Sequence, residues 1–371
     1  MKTVNGHEII QLFEQFSPKD LAMEGDKIGL QIGRLNKKVH RVMIALDVLE
    51  NVVDEAIEKD VQLIIAHHPL IYRPLQKITT DMGPGKIIEK LIKHEIAVYA
   101  AHTNLDVATG GVNDLLADAI GLENAEVLIP TFEHSLKKLI VYVPIDHEDT
   151  IRKVLGEAGA GFIGNYSHCS FSSNGTGRFL PGENTNPYRG SQGTIDEVKE
   201  VKIETIVPEN ILKKVVTAMV KAHPYEEVAY DIYPLENKGQ QLGLGRIGMI
   251  KETTLGDFAE KVKSTLEVNR VRVVGELHSK VKKVAILGGD GNKYFSQAKF
   301  KGADVYVTGD IYYHTAHDAM MLGLNMIDPG HNVEKVMKKG LTAVLNNLCK
   351  KYGYEVEIFP SELNTDPFQF I

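Results

Sequence analysis

The sequence predicts an α/β fold in which two duplicated βαβ core halves form one domain and a ferredoxin-like α+β segment is inserted between them. Three observations carry this expectation. Apolar runs alternate with helical stretches toward both ends of the chain, the pattern of parallel strands joined by crossover helices. An offset of 242 residues sets Val42 on Val284, Ile44 on Ile286, Ala56 on Ala298 and Lys59 on Lys301 without a gap. Between the copies the order changes to β-α-β-β-α-β. With 371 residues and roughly 150 residues per domain, more than one core is expected: 1–130 as the first core half, 131–243 as the insertion and 244–371 as the second half.

In chain order, residues 7–16 have helical spacing and 41–46 (Arg-Val-Met-Ile-Ala-Leu) form a buried strand. A helix over 51–59, a strand over 61–66, a helix over 86–94 and a strand over 96–101 complete the first βαβαβ unit. The second copy has strands at 284–287 and 305–307, then a helix and a strand within 315–327. In the insertion, strand 136–143 ends at Pro144 before a helix over 148–158. Strand 198–207 ends at Pro208 before a helix over 209–222, and strand 228–233 closes the segment. Residues 159–193 are rich in Gly, Ser and Asn, yet Phe162, Tyr166, Phe171, Phe179 and Tyr188 favour an ordered hairpin with a long loop over disorder.

Composition narrows the function. A hydrophobic fraction of 43% with 25% charged residues is ordinary for a globular chain. The net charge of −7 has no compensating basic block, so nucleic acid is not an expected partner. Glu8 arrives before any apolar stretch and no 18-residue apolar run exists, so neither a signal peptide nor a membrane span is expected. Two distant cysteines, Cys169 and Cys349, fit a reducing cytoplasm and leave imidazole and carboxylate as the donors for any metal.

His67-His68-Pro69 follows the 61–66 strand, at the carboxyl end where ligands gather in open parallel sheets. Alone, such a pair reads equally well as a polar cap on the sheet. Two further strand ends shift the reading: 96–101 runs into His102-Thr103-Asn104-Leu105-Asp106, and the strand ending at Ile327 runs into Asp328-Pro329-Gly330-His331-Asn332-Val333-Glu334. His331 and Glu334 have i, i+3 spacing at the start of an expected helix over 332–339, which puts both on one face. Facing carboxylates repel unless neutralised, and divalent metal does this while imidazoles complete the sphere. The expected ligands are His67, His68, Asp106, His331 and Glu334, holding two divalent ions with Glu334 as the bridge. Zinc is favoured by abundance and affinity, and manganese or iron also fit these donors. Such a pair of ions suits two-metal hydrolysis.

His102, Asp310, His314 and Asp328 lie near the same strand ends and are expected to orient ligand imidazoles. Gly288-Gly289-Asp290-Gly291 offers amides to a phosphate, although a tight turn needs the same glycines. Gly243-Leu244-Gly245-Arg246-Ile247-Gly248 matches a dinucleotide pattern, but no helix opens after it, so a Rossmann loop is not expected.

The His67-His68-Pro69 motif, the His102 to Asp106 run, Thr308-Gly309-Asp310 with His314, and Gly330-His331 with Glu334 resemble the NIF-three-like family, whose members are named GTP cyclohydrolase I type 2 homologues. The resemblance covers the whole chain. The insertion resembles the long bacterial form, where His223-Pro224-Tyr225-Glu226-Glu227 and Cys169-Ser170-Phe171 belong to a domain similar to the PII-like and divalent-cation-tolerance trimers. The resemblance implies a dinuclear metal site at the five residues named, a toroidal homohexamer, and hydrolytic opening of the imidazole ring of GTP with loss of formate. No guanine-binding motif is evident. The alternatives are a metal-sensing, metal-delivering or regulatory ring protein, and a scaffold whose metals only staple its halves. One departure is Gly25-Asp26-Lys27-Ile28-Gly29-Leu30, where many relatives carry Trp before the Asp.

Overall fold

A computed structural model describes residues 3–371, and the chain divides into two units, one built from residues up to Phe132 with Leu242–Ile371 and the other from Glu133–Gln241. In the first unit the Leu63–Ala66 strand is buried at every position, which only a strand covered on both faces tolerates. It sits at the middle of a five-stranded sheet in the order Glu357–Pro360, Arg41–Ala45, Leu63–Ala66, Ala97–Ala100, Gly29–Ile32. The first four run parallel and Gly29–Ile32 closes the edge antiparallel. The crossovers are the helices Glu50–Glu58 and Gly83–Lys93, which bury Val52, Val53 and Ala56 and Ile88 and Leu91.

A second sheet, six-stranded among the described residues, has the order Arg272–Val274, Asn325–Asp328, Val305–Gly309, Lys280–Asp290, Gln241–Thr254, Glu123–Glu133. Its three middle strands from Asn325–Asp328 to Lys280–Asp290 are parallel. Val42 stands opposite Leu63 in the first sheet, and Val284 opposite Val305 in the second. One hydrophobic cluster joins the two parts of the chain: Phe13, Ile44 and Leu63 share it with Phe258, Val284, Val305 and Leu341.

The Glu133–Gln241 unit is an antiparallel sheet in the order Tyr230–Leu235, Leu136–Pro144, Asp196–Pro208, Ser170–Phe179. Helices Glu148–Ala158 and Glu209–Ala222 cover one face through Ile151, Leu155, Val215 and Met219, packed with Val141, Val143, Val201 and Ile203. Strict alternation sends Tyr142, Glu200 and Lys202 to the other face. The Gly-rich stretch forms the Ser170–Phe179 strand and the loop that follows it.

The structure departs from the sequence expectations at three places. The helix expected over 332–339 begins as a 3-10 turn, His331–Lys335, and becomes α-helical only at Val336–Tyr352. The strand expected over 284–287 runs longer, as Lys280–Asp290, and takes in Gly288 and Gly289; a 3-10 turn Asn292–Tyr294 and the short helix Phe295–Phe300 follow. The Glu357–Pro360 strand, unexpected from the sequence, returns the end of the chain to the first sheet beside Arg41–Ala45. Among the described residues no helix is long and apolar enough to cross a membrane.

Glu123–Glu133 and Gln241–Thr254 are neighbours in one sheet, so the ends left by removing 133–241 lie on adjacent strands. A chain in which a short Gly-Ser link replaces 133–241 is expected to melt cooperatively and keep an α/β circular dichroism spectrum. A collapsed spectrum would contradict the independence of the first unit.

Candidate metal centre

Three strand ends of the first unit converge. The His67 and His68 amides continue the ladder of Leu63–Ala66 by donating to the Ala45 and Leu46 carbonyls, at 3.0 and 2.9 Å. This holds both backbones firmly where the side chains turn toward the sheet end. His102 precedes the short helix Thr103–Val107, which carries Asp106 and is anchored by buried Asn104, whose Nδ2 donates to the Ser17 carbonyl at 3.1 Å. His331 and Glu334 lie on the 3-10 turn, whose three-residue repeat stacks i over i+3.

Glu334 is the hub. Its Oε2 lies 3.1 Å from His68 Nε2, 3.2 Å from His331 Nε2 and 3.7 Å from His67 Nε2, and His67 Nε2 is 3.6 Å from Asp106 Oδ1. The opposite ring nitrogens are fixed from behind. His67 Nδ1 meets the Ala101 carbonyl at 2.9 Å, His68 Nδ1 meets Asp47 at 2.7 Å, His331 Nδ1 meets Asp310 at 2.7 Å, and His102 Nδ1 meets Asp26 at 2.8 Å. An acceptor at Nδ1 keeps a proton on that nitrogen, so the proton a ring gives up to bind a cation is the one on Nε2, the arrangement of metal-binding imidazoles.

Without a cation, protons on the imidazoles balance the carboxylate charge. Burial works against the charged form of His68, but hydrogen bonds to Asp47 and Glu334 outweigh it and push its pKa up to about 10. The hydrogen bond to Glu334 likewise raises His331 to about 9. Burial pushes Asp106 up to about 6, whereas the surrounding imidazoles overcome burial at Glu334 and hold it well below the usual carboxylate range. His67 Nε2 and Asp106 Oδ1 are buried with no hydrogen-bond partner. Such orphaned atoms cost about 1–3 kcal/mol each, and a divalent cation among nitrogen and oxygen donors would satisfy both. The donors form three groups suited to an ion: His67 with Asp106 and Glu334, His68 with His331 and Glu334, and His67 with His68 and His102. The first two share Glu334.

The structure therefore brings together His67, His68, Asp106, His331 and Glu334, and sets His102 beside them, its ring centroid 5.3 Å from that of His67. Asp310 orients an imidazole, and its left-handed backbone (φ 54°) is tied down by Asn292 at its carbonyl. Two expectations need correction. His314 is exposed on the helix Tyr313–Met321, its ring against Tyr313 and not against a ligand. Asp328 is buried but orients backbone: it accepts the Ile311 and Gly330 amides at 2.9 and 2.8 Å and pairs with Arg272, shaping the loop before His331.

The glycines of 288–291 also serve a different end from phosphate binding. A Cβ on Gly289 would stand 2.7 Å from Glu334 Oε1 and 3.1 Å from His331 Nε2, at φ +64°; on Gly288 it would stand 3.1 Å from Glu334 Oε1. The glycines clear space for the hub carboxylate. Gly289→Ala is expected to destabilise the fold by roughly 1–2 kcal/mol from the left-handed backbone alone and to displace Glu334 as well. A denaturation midpoint unchanged from wild type would contradict this reading. Asp26 and Asp47, which sequence reasoning left out of the cluster, hold His102 and His68; Asp47 also bonds Thr365 near the end of the chain. A Cβ on Gly25 meets nothing within 4 Å, so space is open beside Asp26.

Comparison with known proteins agrees in one direction. Residues 4–367 match the family Duf34/NIF3 (NGG1p interacting factor 3). A Bacillus subtilis protein named GTP cyclohydrolase 1 type 2 homolog is 61% identical over the full length of both chains. A Listeria innocua protein of the same name is 51% identical, again over both full lengths. Among solved structures, a Bacillus cereus protein related to NIF3 is 63% identical with a TM-score of 0.93, each chain covered completely. A Staphylococcus aureus protein is 37% identical with a TM-score of 0.76 over both full chains.

Proposed function

The chain belongs to the Duf34/NIF3 family, and on that premise we propose that it is a metal-dependent hydrolase built on a dinuclear divalent-metal centre held by His67, His68, Asp106, His331 and Glu334. The observation that carries this reading is the pair of donor groups sharing one buried carboxylate, Glu334, with each imidazole locked at Nδ1. Zinc suits these donors best, with manganese and iron as alternatives.

When bound, divalent ions supply Lewis acidity and activated water. The chain's own residues do the positioning. The Ala101 carbonyl, Asp47 and Asp310 fix His67, His68 and His331 in one tautomer. Glu334 balances the imidazoles on either side of it, and His102, held by Asp26, adds a further ring at the His67 side. The relatives' names make GTP the first substrate to try, with its imidazole ring opened at C8 and that carbon lost as formate. The repeated pairing of Val42 with Leu63 and Val284 with Val305 supports reading the two sheets as duplicates. The fourth-first-third-second strand order of the inserted unit supports a PII-like ancestry for it. A toroidal homohexamer in the cytoplasm completes the proposal.

Purified protein incubated with GTP is expected to release formate, to stop when a chelator is added and to resume with zinc or manganese. Asp106→Asn and His331→Ala should each lose at least about 99% of the activity, as expected when a metal centre is disrupted. Activity persisting in these variants would belong to a contaminant. Absence of formate with every metal would overturn the cyclohydrolase reading and favour metal sensing or delivery.

A further inference from the structure

We propose that the Glu133–Gln241 unit carries a binding site for a small organic cation with a flat body, in a cavity on the face of its sheet that the helices leave open. The cavity has a volume of about 650 Å³, within the usual range for small-molecule sites. Its floor exists because the Ser170–Phe179 strand presents glycine there: Gly175 pairs with Glu200 and Gly177 with Val198 on the outward face. A Cβ at Gly177 would lie 2.1 Å from Glu200 Oε2.

The ligand's charge follows from the walls. Glu200 is 8% exposed, lines the cavity and makes no ion pair among the described residues; its Oε1 accepts the Tyr225 hydroxyl at 2.8 Å. A carboxylate removed from water with a single neutral partner is poorly compensated. The lining cations are already engaged with acids outside the cavity: Arg178 with Glu197 at 2.7 Å, Arg189 with Asp146 at 2.6 Å, Lys202 with Glu204 at 3.2 Å. Glu227 also lines the cavity and makes no ion pair among the described residues. Arg189 also lies over the Tyr188 ring at 5.8 Å, so a cation already uses one aromatic face, and the buried charge left uncompensated in the walls is the carboxylate of Glu200.

The ligand's shape follows from the rings. Tyr225 lies between Phe179 and Tyr188, with centroid separations of 6.3 and 6.2 Å. Aromatic faces attract cations and pack flat groups. The arrangement is set before any ligand arrives. The Tyr225 amide donates to His223 Nδ1 at 3.1 Å while His223 Nε2 faces the Tyr142 carbonyl at 3.0 Å, and burial shifts this imidazole toward its neutral form. Glu226 accepts the Asn186 amide at 2.9 Å and so ties the loop carrying Tyr188 to the Tyr225 segment.

Calorimetric titration of the full chain with benzamidine, benzamide and benzoate tests this, because the three share a shape and differ in charge. Benzamidine is expected to bind at least about tenfold more tightly than benzamide, with benzoate showing no binding. Glu200→Gln should weaken benzamidine by about tenfold or more, as loss of a buried charge partner does, with circular dichroism and metal content unchanged. Tyr188→Ala, on the loop, should weaken it too and keeps the test open if the Glu200 variant fails to fold. Equal affinity for benzamide, a preference for benzoate, unchanged affinity in either folded variant, or no benzamidine binding would each overturn the proposal. Because the metal ligands lie outside this unit, none of these outcomes decides the hydrolase reading.

Discussion

On the proposed dinuclear centre, Glu334→Gln is expected to abolish binding of both ions and leave the fold intact. The amide keeps the shape of the side chain but not its charge, and Oε2 is the atom within 3.7 Å of three imidazole nitrogens. Without it, His67 and Asp106 lose their common partner with His68 and His331. Occupancy should fall by about tenfold or more at both positions, since a bridging carboxylate contributes to each. His67→Ala should remove mainly one ion, because its Nδ1 is committed to the Ala101 carbonyl and only Nε2 is free to bind. Elemental analysis of the two variants beside wild type reads the difference, and wild-type occupancy in Glu334→Gln would overturn the bridging role proposed for Glu334.

Arg246→Ala is expected to cost about 3 kcal/mol or more, as when one member of a buried ion pair is removed. Arg246 is 4% exposed; its guanidinium pairs with Asp114 and donates to the Gly243 and Gly245 carbonyls at 2.9 and 2.8 Å. Truncation leaves Asp114 with the Gly110 amide as its partner at 2.6 Å and removes the side-chain donor to two carbonyls. Asp114 keeps about a quarter of its side chain in water, which holds the expected loss to the lower end of the range. Urea unfolding measures it, and Arg246→Met with Asp114→Leu should regain part of the loss because no charge is then left alone. A loss below about 1 kcal/mol in Arg246→Ala would place the pair among ordinary surface contacts.

Arg246 also marks a limit of reading the sequence. Its Gly-x-Gly-x-x-Gly setting imitates a nucleotide loop, and only the lack of a following helix argues against one; the segment lies within the Gln241–Thr254 strand. The clustered residues were legible because each lies just beyond the end of a mainly apolar strand, and a sheet collects its strand ends in one place. His331 and Glu334 were legible for a reason that does not depend on the helix type, since i and i+3 share a face in a 3-10 turn as they do in an α-helix. The partners behind the imidazoles were only partly legible. Asp310 and Asp47 each act across 21 residues of sequence and Asp26 across 76, distances at which no local spacing rule applies; Asp310 was reached only because it directly follows the Val305–Gly309 strand. Proximity in sequence misled at His314 and Asp328, where the backbone sends one side chain to solvent and ties the other to amides. Gly288 and Gly289 satisfy a pattern shared by anion loops and by backbones that must let a side chain approach; the position of Glu334 decides between them.

The metal stoichiometry of the full chain tests the centre most directly. Protein purified without chelator, depleted, and then equilibrated with zinc should retain two ions per chain after dialysis, and Glu334→Gln should retain neither. One ion per chain, or none, would contradict a dinuclear centre bridged by Glu334.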